Sequence, residues 1–348
     1  MTSEHRAREA HEGESFSSRK VWTSAIVGAV IAIAIILSSS RGQVSQMTKG
    51  DGLIYRYVAA HLNTAPADIH PVVRARGTSL RYGRIGLPIV LWTVSAGQPS
   101  AMRYAQPIVM VLAAAAASAG TAVLFPGAGP LSALIPFLAP GFALSIAGGY
   151  AEGLAVALAV WATIFAARRR WWWCAIALCA AMLTRENAIA VLLGVGVWAV
   201  VRGSARAVPV LVSSLVPVGA WYVFVQQRYG YLPPLDPYLR KATDTVGTPV
   251  IALIRSFTRA GAGRSKAMAG IHVGLAAIAV RLGRRSLFGY IAVAASLQLL
   301  VSGPFAWRYI GEAARTAVFL QLFVALALVT WLRPAWADRD TLAPAPVA

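Results

Sequence analysis

Between Ser15 and Ala337 the chain carries only seven carboxylates, Asp51, Asp68, Glu152, Glu186, Asp236, Asp244 and Glu312. A carboxylate placed beside a hydroxyl can take its proton during nucleophilic attack, and fixed guanidinium groups can stabilise a departing phosphate. Asp51 is the first candidate base, in Lys49-Gly50-Asp51-Gly52-Leu53-Ile54-Tyr55. Its competing role is as a helix cap, since Asp is a leading N-cap residue. Arg81, Arg84, Arg185 and Arg315 are candidate phosphate ligands, of which Arg81, Arg84 and Arg315 could equally be interface anchors whose heads reach lipid phosphates. Glu152 could serve a helix N-terminus through the macrodipole, and Arg185 with Glu186 could be a local ion pair in a tight turn. Ionisable groups at membrane depth are costly, which favours a functional role for that pair.

The elements that must position these groups follow from composition. Of the 348 residues, 57% are hydrophobic and 13% charged, too little polar surface to cover a water-soluble globule. Apolar runs recur from Val21 to Leu332, separated by short clusters of Arg, Pro and Gly, as in successive helices crossing a ~30 Å hydrocarbon layer. The pattern predicts an all-α polytopic transmembrane bundle with about ten spans. It divides into a cytoplasmic tail (1–20), one transmembrane domain (21–332) and a second cytoplasmic tail (333–348). Trp171 to Val201 is too long for one span and would bury Arg185 and Glu186 mid-bilayer, so two short helices meeting at Thr184-Arg185-Glu186-Asn187 are expected. The loop at about 41–100 should hold an amphipathic helix lying on the outer leaflet, with Tyr55, Val58, Ala59 and Leu62 on its apolar face, and an interfacial helix from Ile85 to Val94.

With both termini cytoplasmic, the short inside loops hold Arg168 to Arg170, Arg202 with Arg206, and Arg281 with Arg284 and Arg285, as the positive-inside rule requires. The outside loops, about 41–100 and 227–266, together with the outside helix junctions, then receive all seven carboxylates. A face rich in both acids and arginines suits a phosphorylated ligand and an acid/base reaction.

Other chemistries find little support. Cys174 and Cys179 are five apart on one apolar run, on different helix faces, and should stay unpaired. The five histidines have no metal-ligand spacing, and no Walker loop or nucleophile elbow is present. The net charge of +19 is read as topology and lipid contact rather than nucleic-acid binding.

The Gly-Asp-Gly-x-x-Tyr setting of Asp51 and Tyr55, directly after the first span, resembles the GT-C superfamily of membrane glycosyltransferases that use polyprenyl-phosphate-linked sugars. Ser79 to Pro88, containing Arg81-Tyr82-Gly83-Arg84, is similar to the Arg-Tyr and Pro segment closing the same loop. Glu152 in Gly149-Tyr150-Ala151-Glu152 resembles the second acidic residue at an outside helix junction, and Thr184-Arg185-Glu186 the Thr-Arg-Glu element of bacterial mannosyltransferase-like members. The likeness runs through Val201 and then stops. It implies transfer of a sugar, a mannose or a pentose, to a glycan, lipid or protein hydroxyl at the outer face of a bacterial plasma membrane. Asp51 would be the catalytic base, and Tyr55, Arg81, Tyr82, Arg84, Glu152, Arg185, Glu186 and Arg315 would bind substrate. No Asp-x-Asp pair stands beside Asp51, so a divalent metal is not implied. The competing readings are a transporter or lipid flippase, in which charges at broken helices form a pathway, and a non-catalytic membrane scaffold.

Overall fold

The computed structural model describes residues 3–42, 51–237, 254, 263–283, 286–300 and 310–337, and every regular element among them is a helix. The first helix, α1 (Ser3–Ser39), crosses α6 (Met102–Leu124) closely. Between them four short helices occupy the first loop: α2 (Asp51–Ala60), α3 (Pro71–Ala75), α4 (Thr78–Gly83) and α5 (Gly86–Val94). After α6 a 3-10 segment (Pro126–Leu138) meets α7 (Pro140–Gly148) at a 77° bend. Pro136 and Pro140 flank that bend, and a proline lacks the N–H that would continue the ladder. The hydroxyls of Ser118 and Thr121 donate to the carbonyls of Ala133 and Ser132, supplying partners that an α-helix would have found within itself.

Next come α8 (Ala151–Ala167), α9 (Trp171–Thr184), α10 (Ile189–Val201), α11 (Val208–Val212) and α12 (Leu215–Tyr229). The last four are α13 (Gly263–Gly283), α14 (Leu287–Leu300), α15 (Ile310–Thr316) and α16 (Val318–Leu332). The break between α9 and α10 falls at Arg185, whose extended backbone (φ −152°, ψ 117°) separates two short helices as expected.

Among the described residues four helical stretches are long and apolar enough to cross a membrane: Ser18–Ser39, Met102–Leu124, Ala205–Tyr229 and Lys266–Gly283. The bent pair at Pro126–Gly148 raises the number to five, while α8, α9, α14, α16 and Glu186–Val201 are apolar but shorter. Helix length therefore supports four or five spans and does not establish ten. The outer surface has membrane character all the same. Trp22, Ile26, Val30, Ile33 and Leu37 form an exposed apolar stripe along α1, and Tyr104, Ile108 and Leu112 another along α6.

One large core joins α1, α6, α8, α9, α10, α14 and α16. A small second core of Ile54, Val58, Ile69, Val73, Tyr82, Ile85 and Val225 fastens the first-loop helices to α12. Here the structure departs from the expected surface helix. Ile54, Tyr55, Val58 and Ala59 of α2 are 0–2% exposed, covered by protein rather than lipid, and the helix ends at Ala60, before Leu62. The neighbouring helices α4, α5 and α6 supply the apolar surface that a bilayer was expected to provide.

Candidate functional site

Two tight approaches set the site. Gln106, a polar side chain buried within α6, donates through Nε2 to the carbonyl of Gly52 at 3.2 Å and to that of Gly149 at 2.7 Å. This ties the first turn of α2 to the α7–α8 junction, and Gly52 permits it, because a Cβ there would stand 2.5 Å from Gly148 O. Asp51 is thereby delivered beside Glu152 in the first turn of α8. On the other side Gly86 lies against Thr184, with room for no side chain, so the start of α5 abuts the end of α9 and brings Arg84 to Glu186.

The result is a continuous chain of opposite charges. Asp51 Oδ1 receives Arg81 Nη2 at 3.1 Å and Arg76 Nη1 at 3.5 Å, and its Oδ2 receives Arg315 Nη2 at 3.3 Å. Arg315 continues to Glu152, donating from Nη2 and Nε to Oε1 at 3.0 and 3.2 Å. Its guanidinium lies 3.8 Å over the Tyr150 ring, a cation–π contact that fixes its plane. Arg185 Nη2 reaches the same Glu152 oxygen at 3.2 Å and Nη1 stands 3.7 Å from Glu186. Arg84 closes the chain with a two-point pair to Glu186, Nε to Oε2 at 2.8 Å and Nη2 to Oε1.

Burial and charge decide what this arrangement can do. The Glu152 side chain is wholly buried, and those of Arg81, Arg315 and Arg185 are 5–7% exposed. Groups so desolvated persist as ions only through one another. Among the described residues five arginines face three carboxylates, a surplus of two positive charges. Burial by itself would raise the Asp51 carboxyl, but Arg81 and Arg315, with Arg84 and Arg185 behind them, outweigh it and hold the group below the ordinary carboxylate range. Nε and Nη1 of both Arg81 and Arg185 are buried without a hydrogen-bond partner. Unpaired buried donors are expensive, and four of them on two guanidinium groups beside a positive surplus suit an oxyanion.

Of the residues singled out from the sequence, Asp51, Arg81, Arg84, Glu152, Arg185, Glu186 and Arg315 come together in this cluster. Tyr55 is buried on the same helix as Asp51, with its hydroxyl beside Arg84. Tyr82 is elsewhere: its hydroxyl donates to the His61 carbonyl at 3.1 Å and its ring packs on Tyr229 in the second core. Asp51 is also less open than a loop-to-helix junction suggests, at 12% side-chain exposure. Arg76, Tyr150 and Gln106 complete the surroundings without having been singled out. Gln106 had a visible signal, a polar residue inside an apolar run, whereas nothing in the spacing of Arg76 points to Asp51. Among the described residues no group of His, Cys, Asp and Glu has the arrangement of a metal site, and Cys174 and Cys179 are free thiols.

No family model matches the chain, and no curated protein does. Among solved structures it is similar to ArnT from Cupriavidus metallidurans bound to undecaprenyl phosphate, with 15% identity and a TM-score of 0.49. That likeness covers 87% of this chain, which spans 59% of the length of the ArnT chain.

Proposed function

We propose that the chain is a membrane glycosyltransferase that moves a sugar, a mannose or a pentose, from a polyprenyl-phosphate donor to a hydroxyl of a glycan, lipid or protein at the outer face of the plasma membrane. The observation that carries this reading is the buried cluster itself, in which unpaired guanidinium donors of Arg81 and Arg185 stand beside Asp51 under a net positive charge. A phosphodiester donor has one negative charge and its phosphate product about two, so a surplus of cations favours the charge that develops as the bond to the anomeric carbon breaks. The acceptor oxygen forms the new bond to that carbon, the electron pair of the broken bond leaves with the phosphate, and the hydroxyl proton passes to Asp51.

In the cluster alone Asp51 is a poor proton acceptor, because the arginines stabilise its ionised form. A donor phosphate engaging Arg81 and Arg315 competes for those charges and raises the basicity of Asp51, so the base becomes effective when the donor is in place. An apolar groove of about 400 Å³ supports a lipid-linked donor. Its walls include Val90, Leu112, Leu154, Leu158, Trp161 and Ile176, and it begins one turn from Glu152.

The test is sugar transfer from a synthetic polyprenyl-phosphate donor by membranes containing the full chain, with Arg81→Gln and Arg185→Gln at matched protein level. Transfer that weakens in both variants through a higher KM for the donor supports the proposal. Absence of transfer from any such donor, with lipid movement across vesicles instead, would favour the flippase reading.

A further inference from the structure

A second concentration of charge lies at the other end of the bundle. The 17 residues of α8 separate it from Glu152, a rise of roughly 25 Å. There Arg169 and Arg170 of the turn between α8 and α9, and Gly203 to Ala207 of the turn between α10 and α11, form walls of one cleft of about 930 Å³. Arg169, Arg170 and Arg206 line it, and among the described residues no carboxylate does. No ion pair among the described residues engages these three arginines. Like charges crowd this end of the bundle: Arg202, next in sequence to the cleft residue Gly203 and partly buried, has its guanidinium pushed below the ordinary arginine value first by burial and then by Arg169.

Two features say what kind of anion would relieve this. The first turn of α9 opens onto the cleft, with Arg170 at the N-cap and no side chain capping it, so backbone N–H groups and the helix dipole add to the arginines. The rim, by contrast, is apolar. Trp172 and Trp173 are 65% and 58% exposed, and the neighbouring Ile176 and Val212 are also open. A soluble phosphate would use the arginines and leave that rim uncovered. A phospholipid would use both, its headgroup between the turns and its chains along the tryptophans.

We infer that this cleft is a binding site for the phosphodiester headgroup of an anionic phospholipid, held by Arg169, Arg170 and Arg206. The headgroup site is separate from the cluster around Asp51, to which none of Arg169, Arg170 and Arg206 belongs, although Trp173 and Ile176 of its rim also line the apolar groove described above.

Native mass spectrometry of the delipidated full chain, titrated with phosphatidylglycerol or phosphatidylcholine, tests it. Wild type should hold one phosphatidylglycerol at roughly tenfold or greater preference. Arg169→Gln/Arg206→Gln should lose that preference, Arg169→Lys/Arg206→Lys should keep most of it, and Arg19→Gln, an exposed cation on α1 outside the cleft, should leave it intact. Equal binding of the two lipids, equal loss in Arg19→Gln, or full displacement by millimolar inorganic phosphate would each overturn the assignment. A circular dichroism melt confirms that the glutamine variant compared is folded.

Discussion

Asp51 and Glu152 accept hydrogen bonds from one and the same atom, Nη2 of Arg315, at 3.3 and 3.0 Å. Arg315 lies 264 residues from the first and 163 from the second. A guanidinium shared in this way fixes the distance between two carboxylates and leaves neither free to move alone.

Replacing Arg315 should therefore damage folding and function together, in proportions that depend on the replacement. Arg315→Gln leaves Glu152 buried with Arg185 as its remaining ion-pair partner, and losing one partner of a buried pair costs on the order of 3 kcal/mol. Arg315→Lys keeps the charge but not the planar fork that reaches both carboxylates. The lysine variant should melt near wild type while sugar transfer falls at least tenfold. Thermal melts in detergent alongside transfer assays make the comparison, and equal melting of Arg315→Gln and wild type would contradict the role given to the pair.

The acid side of the stability profile carries a second test. Asp51 titrates below its ordinary value in the folded chain, so its contribution to stability is fully present above the unfolded carboxyl value of about 4 and is lost only as pH falls through the lowered folded value. The difference in melting temperature between wild type and Asp51→Asn should then be the same at pH 7 and pH 5. It should shrink as the pH falls below about 4; a difference that stays constant down to about pH 2 would mean that Asp51 has the same value folded and unfolded and that the arginines do not hold it.

Much of this site was legible in the chain because acids are scarce in an apolar sequence. Asp51, Glu152 and Glu186 stood out by type and by their neighbours, and the Arg185-Glu186 break in a run too long for one helix located itself. What could not be read was the environment of α2. Period alone says that Tyr55, Val58 and Ala59 share a face, but not whether that face meets lipid or the protein helices that cover it. Tyr82 has the same lesson: it stands beside Arg81 in sequence, yet the turn of α4 sends Arg81 to Asp51 and Tyr82 into the second core. Helix length does not establish ten spans, because bends and breaks shorten several apolar runs among the described residues, and helix length is set by those breaks rather than by the run.

Packing of uncharged residues beside the cluster should also control the site. Gly86 has no space for a methyl group: a Cβ would stand 2.2 Å from Thr184 Oγ1 and 2.8 Å from Thr184 N. Because backbone is among the obstructing atoms, Gly86→Ala must push α5 away from α9, at roughly 1–3 kcal/mol. Arg84 and Glu186 would separate, and transfer should fall although no charged residue has changed. Gly219 on α12 has nothing within 4 Å of the corresponding position, so Gly219→Ala should melt at or slightly above wild type. Similar activities for the two alanine variants would show that the α5–α9 contact does not position the cluster.

Orientation is open to direct labelling. If the arginine-rich turns are cytoplasmic and the first loop is outside, a cysteine at exposed Ala65 should react with an impermeant thiol reagent in intact cells, and one at exposed Ala205 only after the membrane is opened. Cys174, which is buried, and the half-buried Cys179 would first be replaced by serine and alanine to clear the background. Labelling of position 205 alone in intact cells would reverse the topology and place the Asp51 cluster inside.

The role of Asp51 is decided by separating its charge from its shape. Asn is nearly isosteric, caps a helix as well as Asp and keeps one acceptor oxygen for Arg81 or Arg315, so the folded chain should survive with a loss of about 1–3 kcal/mol. It has no useful basicity. If Asp51 takes the acceptor proton, transfer should fall roughly a hundredfold to ten-thousandfold in Asp51→Asn and equally in Asp51→Ala, with donor KM changed much less than kcat. If the carboxylate serves only to neutralise arginines, Asn should instead alter donor binding and leave kcat near wild type. Measuring kcat and donor KM in membranes matched for protein level distinguishes the two, and a wild-type kcat in Asp51→Asn would end its assignment as the base.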